Sequence, residues 1–343
     1  MGVDLSPLIE EGLKQDIQLD NLNGKKLSID AYNAIYQFLT TIRGEDGSPL
    51  MDSHGRITSH LSGLFYRTVN FIEKGLKVVY VFDGKPPELK AKEIEERRKT
   101  REEALKMYEE ARAQGNEELM RKYATRAAFL KNYMVEDSKT LLDLMGVPWV
   151  EAPSEGEAQA AYMAARGVTW GSVSQDYDSL LFGSPRLVRN LTVSGRRKLP
   201  NKDVYVEISP EMIETEKLLK FYEITREQLV DIGILVGTDF NIGIKGIGPK
   251  TALKLIKKYG KIENIKEVPN LSEFLPQEVL SEVRKIFLEP QVKDVQGLEW
   301  RQPDEEGVIK FLCDERNFSV DRVKNALTRI RKRPAASSLD QWF

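Results

Sequence analysis

The stretch Val78-Val-Tyr-Val-Phe-Asp-Gly-Lys-Pro-Pro87 decides the fold. Five consecutive apolar residues, β-branched or aromatic, read as a strand buried on both faces, the pattern of a parallel sheet. Asp83 stands just past that run, and Gly84 and two prolines then break the chain. Residues 26–31, Lys-Leu-Ser-Ile-Asp-Ala, repeat the arrangement: a strand, then Asp30, then a helical stretch over 32–42. Further strands are expected over 147–150, 171–174 and 187–191, and helices over 58–74, 135–145 and 155–165. Strands alternating with helices predict an α/β domain with a largely parallel, mixed sheet flanked by helices. In such open sheets, sites lie beyond the carboxyl ends of the strands. Asp30, Asp83 and Asp176 fall there.

Seven carboxylates recur in short apolar contexts: Asp30, Asp83, Glu155 and Glu157 in Pro-Ser-Glu-Gly-Glu-Ala, Asp176 and Asp178 in Gln-Asp-Tyr-Asp-Ser, and Asp239 in Val-Gly-Thr-Asp-Phe. Carboxylates are rarely buried unless paired or metal-bound. Several converging on one sheet end would repel strongly without cations. Hard oxygen donors with no His or Cys among them favour Mg²⁺ or Mn²⁺ over zinc. Glu157 has a structural alternative, because Ser154 followed by Glu157 resembles a helix capping box.

The chain has 343 residues, 30% of them charged, with a net charge of −2. That length suits one large α/β domain or two smaller ones. No apolar run reaches the roughly 18–20 residues of a membrane span. Cys313 is alone, which excludes an internal disulfide and a cysteine-built zinc site. His54 and His60 are too few for a histidine-rich metal site. Met-Gly-Val-Asp-Leu-Ser at the N-terminus fits the loose myristoylation pattern at Gly2 without a polybasic second signal, and with no charged stretch leading into an apolar one a secretory signal is not expected.

Local charge is more telling than net charge. Lys90, Lys92, Arg97, Arg98, Lys99 and Arg101 crowd one stretch, and Arg329, Arg331, Lys332 and Arg333 another. Residues 88–133 are helix-prone and polar, with a break near Gly115-Asn116; such a segment is a solvent-exposed excursion or a cover that orders on a ligand. Gly243-Ile-Lys-Gly-Ile-Gly-Pro-Lys250 is a tight turn in which Pro249 opens a helix. Its backbone N–H groups can approach a phosphate, with Lys245, Lys250 and Lys254 beside them. The Ala/Ser-rich tail from Pro334 ends in Leu-Asp-Gln-Trp-Phe343, two aromatics with no core to enter, which points to a partner groove.

Taken in order, Met-Gly-Val, Val-Phe-Asp-Gly-Lys-Pro-Pro, Glu-Ala-Pro-Ser-Glu-Gly-Glu-Ala, Ser-Gln-Asp-Tyr-Asp-Ser-Leu-Leu-Phe-Gly and Gly-Ile-Lys-Gly-Ile-Gly-Pro-Lys resemble the flap endonucleases of the XPG nuclease family, of the short archaeal type. The resemblance covers nearly the whole chain. It implies a PIN-like 5′ nuclease fold with a helical arch and a helix–two-turn–helix. The implied division is an N-terminal nuclease region over 1–98, the arch (beginning about 88) through 99–133, an internal nuclease region over 134–260 with the helix–two-turn–helix at about 228–260, a C-terminal helical part over 261–333, and a tail over 334–343.

The resemblance also implies roles. Asp30, Asp83, Glu155 and Glu157 serve one Mg²⁺, and Asp176, Asp178 and Asp239 a second, with Mn²⁺ as a substitute. Lys90 and Arg97, seven residues apart and so on one helix face, neutralise charge on the scissile phosphate; Asp178 counts among the catalytic groups. Gly2, Tyr36, Arg43, Arg67, Glu155, Gly237, Asp239, Gly246, Gly248 and Lys250 match positions near DNA. Tyr36 is the aromatic that stacks on a base, against the simpler reading of a core aromatic. The glycine turn carries a K⁺. Leu339, Trp342 and Phe343 bind a sliding clamp.

The implied activity is metal-dependent cleavage of 5′ flaps near their base, with 5′–3′ exonuclease activity, giving 5′-phosphate and 3′-hydroxyl ends in Okazaki-fragment processing and repair. The implied enzyme is a monomer acting on branched DNA, not a membrane protein. Its place is intracellular, in cytoplasm or nucleoid for an archaeal protein and in the nucleus for a eukaryotic one. Three departures stand out: Ala336 where the clamp motif has Gln, Asp4 where Pro is common, and Ile242 where Pro is common. A junction-resolving or exonucleolytic relative, an inactive DNA-binding scaffold and a PIN-like ribonuclease are the alternatives. The complete set of seven carboxylates speaks against the scaffold.

Overall fold

A computed structural model of the chain describes residues 2–44, 48–126, 130–193, 195–198 and 205–331. The strands are β1 Lys14–Asp16, β2 Lys26–Asp30, β3 Lys77–Phe82, β4 Trp149–Glu151, β5 Gly171–Val173, β6 Arg186–Arg189, β7 Gly195–Lys198, β8 Tyr205–Ile208 and β9 Glu211–Glu214. Seven of them form one sheet in the order β1-β9-β6-β5-β2-β3-β4, and β7 and β8 pair as a hairpin. The five strands from β6 to β4 are parallel, while β9 runs antiparallel to both β6 and β1. The chain builds β2, β3 and β4 outward, then crosses back to lay β5 on the other side of β2. The crevice beyond β2 and β5 is therefore the topological switch point, where ligands bind in open α/β sheets.

The apolar run at β3 has the expected cause. Val78, Tyr80 and Phe82 enter one core cluster with Leu27 and Ile29, while Val79 and Val81 enter another with Val150, Ala160 and Met163. Both faces are covered, so no polar residue interrupts the strand. Helices α1 Ala31–Thr41 and α2 Ser59–Glu73 pack on the first face; α6, named below, packs on the second.

Helices α3 Ala91–Ala113 and α4 Glu117–Arg126 pack against each other and depart from this pattern. Of the 23 residues of α3 only Ala104 and Ala111 are buried. The chain returns to the core through α5 Asn132–Leu144, then α6 Gly156–Ala165, the short α7 Asp178–Leu181 and α8 Thr215–Tyr222. Helices α9 Arg226–Val236 and α10 Pro249–Tyr259 pack as a pair, α9 opening on a full capping box at Thr225 and Gln228, and α10 on Pro249 as expected. Residues 289–304 form neither helix nor strand, so the C-terminal part expected to be helical is helical only on either side of them. The strand expected over 147–150 lies at Trp149–Glu151, and that over 187–191 ends at Arg189, because Asn190 turns to φ +60°. Among the described residues no helix is long and apolar enough to cross a membrane.

Candidate active site

The sheet edge delivers the acidic residues one strand at a time. Asp30 is the last residue of β2 and caps α1 by accepting the Asn33 N–H at 3.0 Å. Asp83 follows β3 and accepts the Gly156 N–H at 2.7 Å, which fastens the start of α6 to it. That bond sets Glu155 and Glu157 on either side of Asp83's partner. Glu157 has no capping role: Glu155 is the cap residue of α6 and its side chain makes no cap hydrogen bond, and the Glu157 carboxylate instead accepts the N–H and hydroxyl of Ser179 at 3.0 and 2.7 Å. Asp176, past β5, accepts the Asn33 side-chain amide at 3.1 Å.

Asp178 accepts the N–H of Val3 at 2.7 Å, which seats the N-terminus in the site. A Cβ on Gly2 would lie 2.4 Å from the Asp178 carboxyl, so only glycine fits there. Asp239 arrives from the other half of the chain, on the loop after α9. That loop is closed by backbone: Ile244 N–H donates to Leu235 at 2.9 Å, and Thr238 to Asn241 at 3.1 Å. A Cβ on Gly243 would fall 1.9 Å from the Val236 carbonyl oxygen, so glycine is what lets the two ends of the loop touch.

Two cations from the segment after β3 sit on this edge. Lys90 pairs with Glu155 and stands 3.7 Å from Asp239. The Arg97 Nη2 donates to both oxygens of Asp239 at 3.0 Å, and its Nε pairs with Glu93. Charge is still in excess. Burial, then Asp83, pushes Asp30 up to about 8; burial and Glu155 push Asp83 up to about 6; burial and Asp239 push Asp178 up to about 7. Glu157 is raised well above its ordinary value by burial and by Asp178 and Asp176. Burial opposes the charge on Lys90, yet Glu155 and then Asp83 and Asp239 raise its proton affinity overall. These mutual influences tie all seven carboxylates into one cluster.

The donor set is all oxygen and short of positive charge, which fits a hard divalent cation. Among the described residues no three acidic, His or Cys side chains are gathered at ligating distance of one point. Lys90 and Arg97 carry part of the compensation instead.

The residues expected near DNA are distributed around this edge. Tyr36 is no core aromatic: it is half-buried on α1, with the Arg101 guanidinium of α3 5.4 Å from its ring centre. Arg43 follows α1, donates to the Thr40 carbonyl at 3.2 Å, and has its proton affinity lowered by burial, with Tyr108 and Tyr36 nearby. Arg67 is set apart on α2, its proton affinity lowered by burial beside Tyr80. Gly237 has φ +107° at the end of α9, Gly246 and Gly248 are exposed in the turn before α10, and Lys250 is exposed in the first turn of α10. Leu339, Trp342, Phe343 and Ala336 lie outside the described residues. Sequence reading missed Val3, Asn33, Ser179 and Glu93. Asn33 left a trace, a polar residue one turn after Asp30 on an otherwise apolar helix start.

Comparison with known proteins agrees with this picture. The XPG N-terminal domain matches residues 1–104 and the XPG I-region matches residues 146–239. The chain is 57% identical to Flap endonuclease 1 of Pyrococcus abyssi, over 100% of this chain and 98% of that one. Its structure is similar to that of flap endonuclease-1 from Methanococcus jannaschii, with a TM-score of 0.72, 44% identity, and 92% and 95% of the two chains covered. It also shares its fold with the Holliday junction-resolving enzyme GEN1, solved with product DNA and a Mg²⁺ ion, at a TM-score of 0.59 and 18% identity over 93% of this chain and 76% of that one. The chain belongs to the flap endonuclease family of XPG nucleases.

Proposed function

From that membership we propose that the chain cuts 5′ flaps near their base and works as a 5′–3′ exonuclease, leaving 5′-phosphate and 3′-hydroxyl ends, in DNA replication and repair. It is a metal-dependent nuclease. The observation that carries the reading is the meeting, at one sheet edge, of seven carboxylates with the side chains of Lys90 and Arg97. Asp30, Asp83, Glu155 and Glu157 would hold one Mg²⁺, and Asp176, Asp178 and Asp239 a second, with Mn²⁺ able to replace either. Bound there, divalent ions supply a low-pKa water and charge compensation for the attacking and leaving oxygens.

The chain's own groups set the rest. Val3, Asn33 and Ser179 fix the directions of Asp178, Asp176 and Glu157. Lys90 and Arg97, released by their carboxylates, face the scissile phosphate and offset the charge that grows on it. Tyr36 offers a stacking face to a base, a contact indifferent to sequence. Arg43, Arg67, Gly237 and the turn with Gly246, Gly248 and Lys250 hold duplex phosphates, with a K⁺ at that turn. Such contacts position DNA without reading it, so selectivity rests on branched shape. Helices α3 and α4 form the arch through which a free 5′ strand passes. Leu339, Trp342 and Phe343 give the tail a grip on a sliding clamp. The enzyme acts as an intracellular monomer.

The test is cleavage of an end-labelled 5′-flap duplex with Mg²⁺, beside the same flap blocked at its 5′ end by a bulky adduct. The expected result is cutting of the free flap near its base and resistance of the blocked one. Equal cutting of both would discard threading and favour a junction-type enzyme; no cutting of either, with binding intact, would overturn the nuclease reading. In a parallel arm with clamp added, a chain ending at residue 335 should keep its basal rate and lose stimulation. Stimulation that survives would remove the clamp role from the tail.

A further inference from the structure

Glu93 is an acidic residue placed where acid is least welcome. It stands on α3 one turn after Lys90 and one turn before Arg97, on the face that leans over the seven carboxylates. A further negative charge there is unfavourable unless it does something. The simple alternative is a helix-stabilising pair four residues apart, which is worth little at an exposed surface. This pair is not at an exposed surface. The Arg97 and Glu93 side chains are 30% and 24% exposed, whereas Arg98 and Glu95, a pair on the outer face of the same helix, are 62% and 43% exposed.

The arrangement of the Arg97 guanidinium is more specific still. Its side edge, made of Nε and Nη2, is divided between two carboxylates. Glu93 Oε1 takes Nε, and Asp239 takes Nη2 with both oxygens at 3.0 Å. The second Glu93 oxygen, Oε2, is buried and has no partner. Buried carboxylate oxygens are almost always satisfied, so an orphan beside a guanidinium edge that Glu93 shares with Asp239 marks a seat kept for a donor. Nη2 is the donor in reach of completing it.

We propose that Glu93 is a positioning residue that holds Arg97 for its work on the scissile phosphate. The proposal rests on the reading of Arg97 given above. When Asp239 turns away to act as a ligand, Glu93 Oε2 receives Nη2, and the side edge of the guanidinium becomes fully held in the two-bond geometry that arginine and carboxylate favour. The remaining N–H groups then face the substrate from a fixed frame. Without Glu93, the long side chain of Arg97 keeps only Asp239, and so both wanders and competes for an acidic ligand the site needs.

Single-turnover cleavage of a 5′-flap duplex by the full chain separates these roles. Arg97→Ala is expected to slow cleavage on the order of 100-fold or more, and Glu93→Ala about tenfold, the effect of a misplaced group. Glu93→Gln keeps most of the rate, because its carbonyl still accepts the Nε–H. In the Arg97→Ala background, Glu93→Ala adds no further loss, as befits two residues that act as one. It should also raise the Mg²⁺ concentration needed for half-maximal rate, while flap binding without divalent ions is unchanged. Additive losses in the double variant would make Glu93 a helix-stabilising residue and overturn the inference. A wild-type rate for Glu93→Ala beside a slow Arg97→Ala would overturn it alone. A wild-type rate for Arg97→Ala would overturn the reading beneath it.

Discussion

The sheet edge and helix α3 place charge in opposite ways. At the edge, several carboxylates are fixed by backbone: Asp30 caps the helix that follows its strand, Asp83 grips the Gly156 N–H, Asp178 grips the Val3 N–H. Their own energetics oppose the arrangement, and the surrounding core holds it in place. On α3, the cations ride a helix with two buried alanines, and it is their partners, Glu155, Glu93 and Asp239, that hold them. The edge is buried and electrostatically strained, whereas the helix is largely exposed and its cations are paired. That division would suit an enzyme whose chemistry is fixed at the sheet and covered by the arch proposed above. It also says where substitutions should cost function, where they should cost stability and where neither.

The largest effect belongs to the edge. Asp178→Ala should lower cleavage of a 5′ flap by about 10³-fold or more, by analogy with removal of one preorganised electrostatic group. Binding of the flap, measured by fluorescence anisotropy without divalent ions, should persist, because the duplex contacts proposed above lie elsewhere. Full activity would remove Asp178 from the metal set, and would make the edge no more special than the helix.

A second, intermediate effect tests whether the edge is strained. Asp30, Asp83 and Asp178 have proton affinities raised to about 8, 6 and 7, against an ordinary value near 4. Between about pH 4 and 8 the folded chain therefore binds more protons than the unfolded one, and stability falls as pH rises through that window. Each such carboxyl costs at most about 1.4 kcal/mol per pH unit. Without divalent cations, the melting temperature should therefore drop from pH 5 to pH 8, Asp30→Asn should flatten the drop, and added Mg²⁺ should reverse it. A melting temperature that rises over the same range in metal-free buffer would show that Lys90 and Arg97 already cancel the strain.

The same contrast explains what could be read from the chain and what could not. β3 was legible because both its faces are buried, which leaves a run of apolar residues with an acid at its end; β2 and β5 are shorter and each carries a buried serine, Ser28 and Ser172, but an acid follows or ends each of them as well. β1 was illegible because all three residues, Lys14 to Asp16, are polar and exposed, and nothing but pairing with β9 makes them a strand. The carboxylates were legible by type and context. Their holders were not, since Val3 meets Asp178 across 175 residues of sequence and Ser179 meets Glu157 across 22. Glu93 was hidden for the opposite reason: in a helix crowded with charge, one more glutamate carries no signal until its partner and its orphan oxygen are seen. The capping alternative for Glu157 stayed open in the sequence because spacing alone does not distinguish a carboxylate that turns back to its helix from one that reaches across to the next.

The smallest effect is expected at the exposed apolar residues of α3, and it sharpens the comparison most. Ile94, Leu105 and Met107 are 42%, 39% and 41% exposed there. Apolar residues scattered on a surface are ordinary, and a helix with almost no buried face gains little from them. Met107→Lys should therefore shift stability by no more than about 0.5 kcal/mol, as surface substitutions do, which calorimetry would register as an unchanged melting temperature. A clear drop would mean that α3 is anchored through this face. An unchanged melting temperature with slower cleavage of free 5′ flaps would mean that the face is exposed for a reason. Apolar side chains facing the path of a single strand offer contact with bases without the tight phosphate pairing that would stop the strand from moving, whereas lysine at the same place would add such a pair.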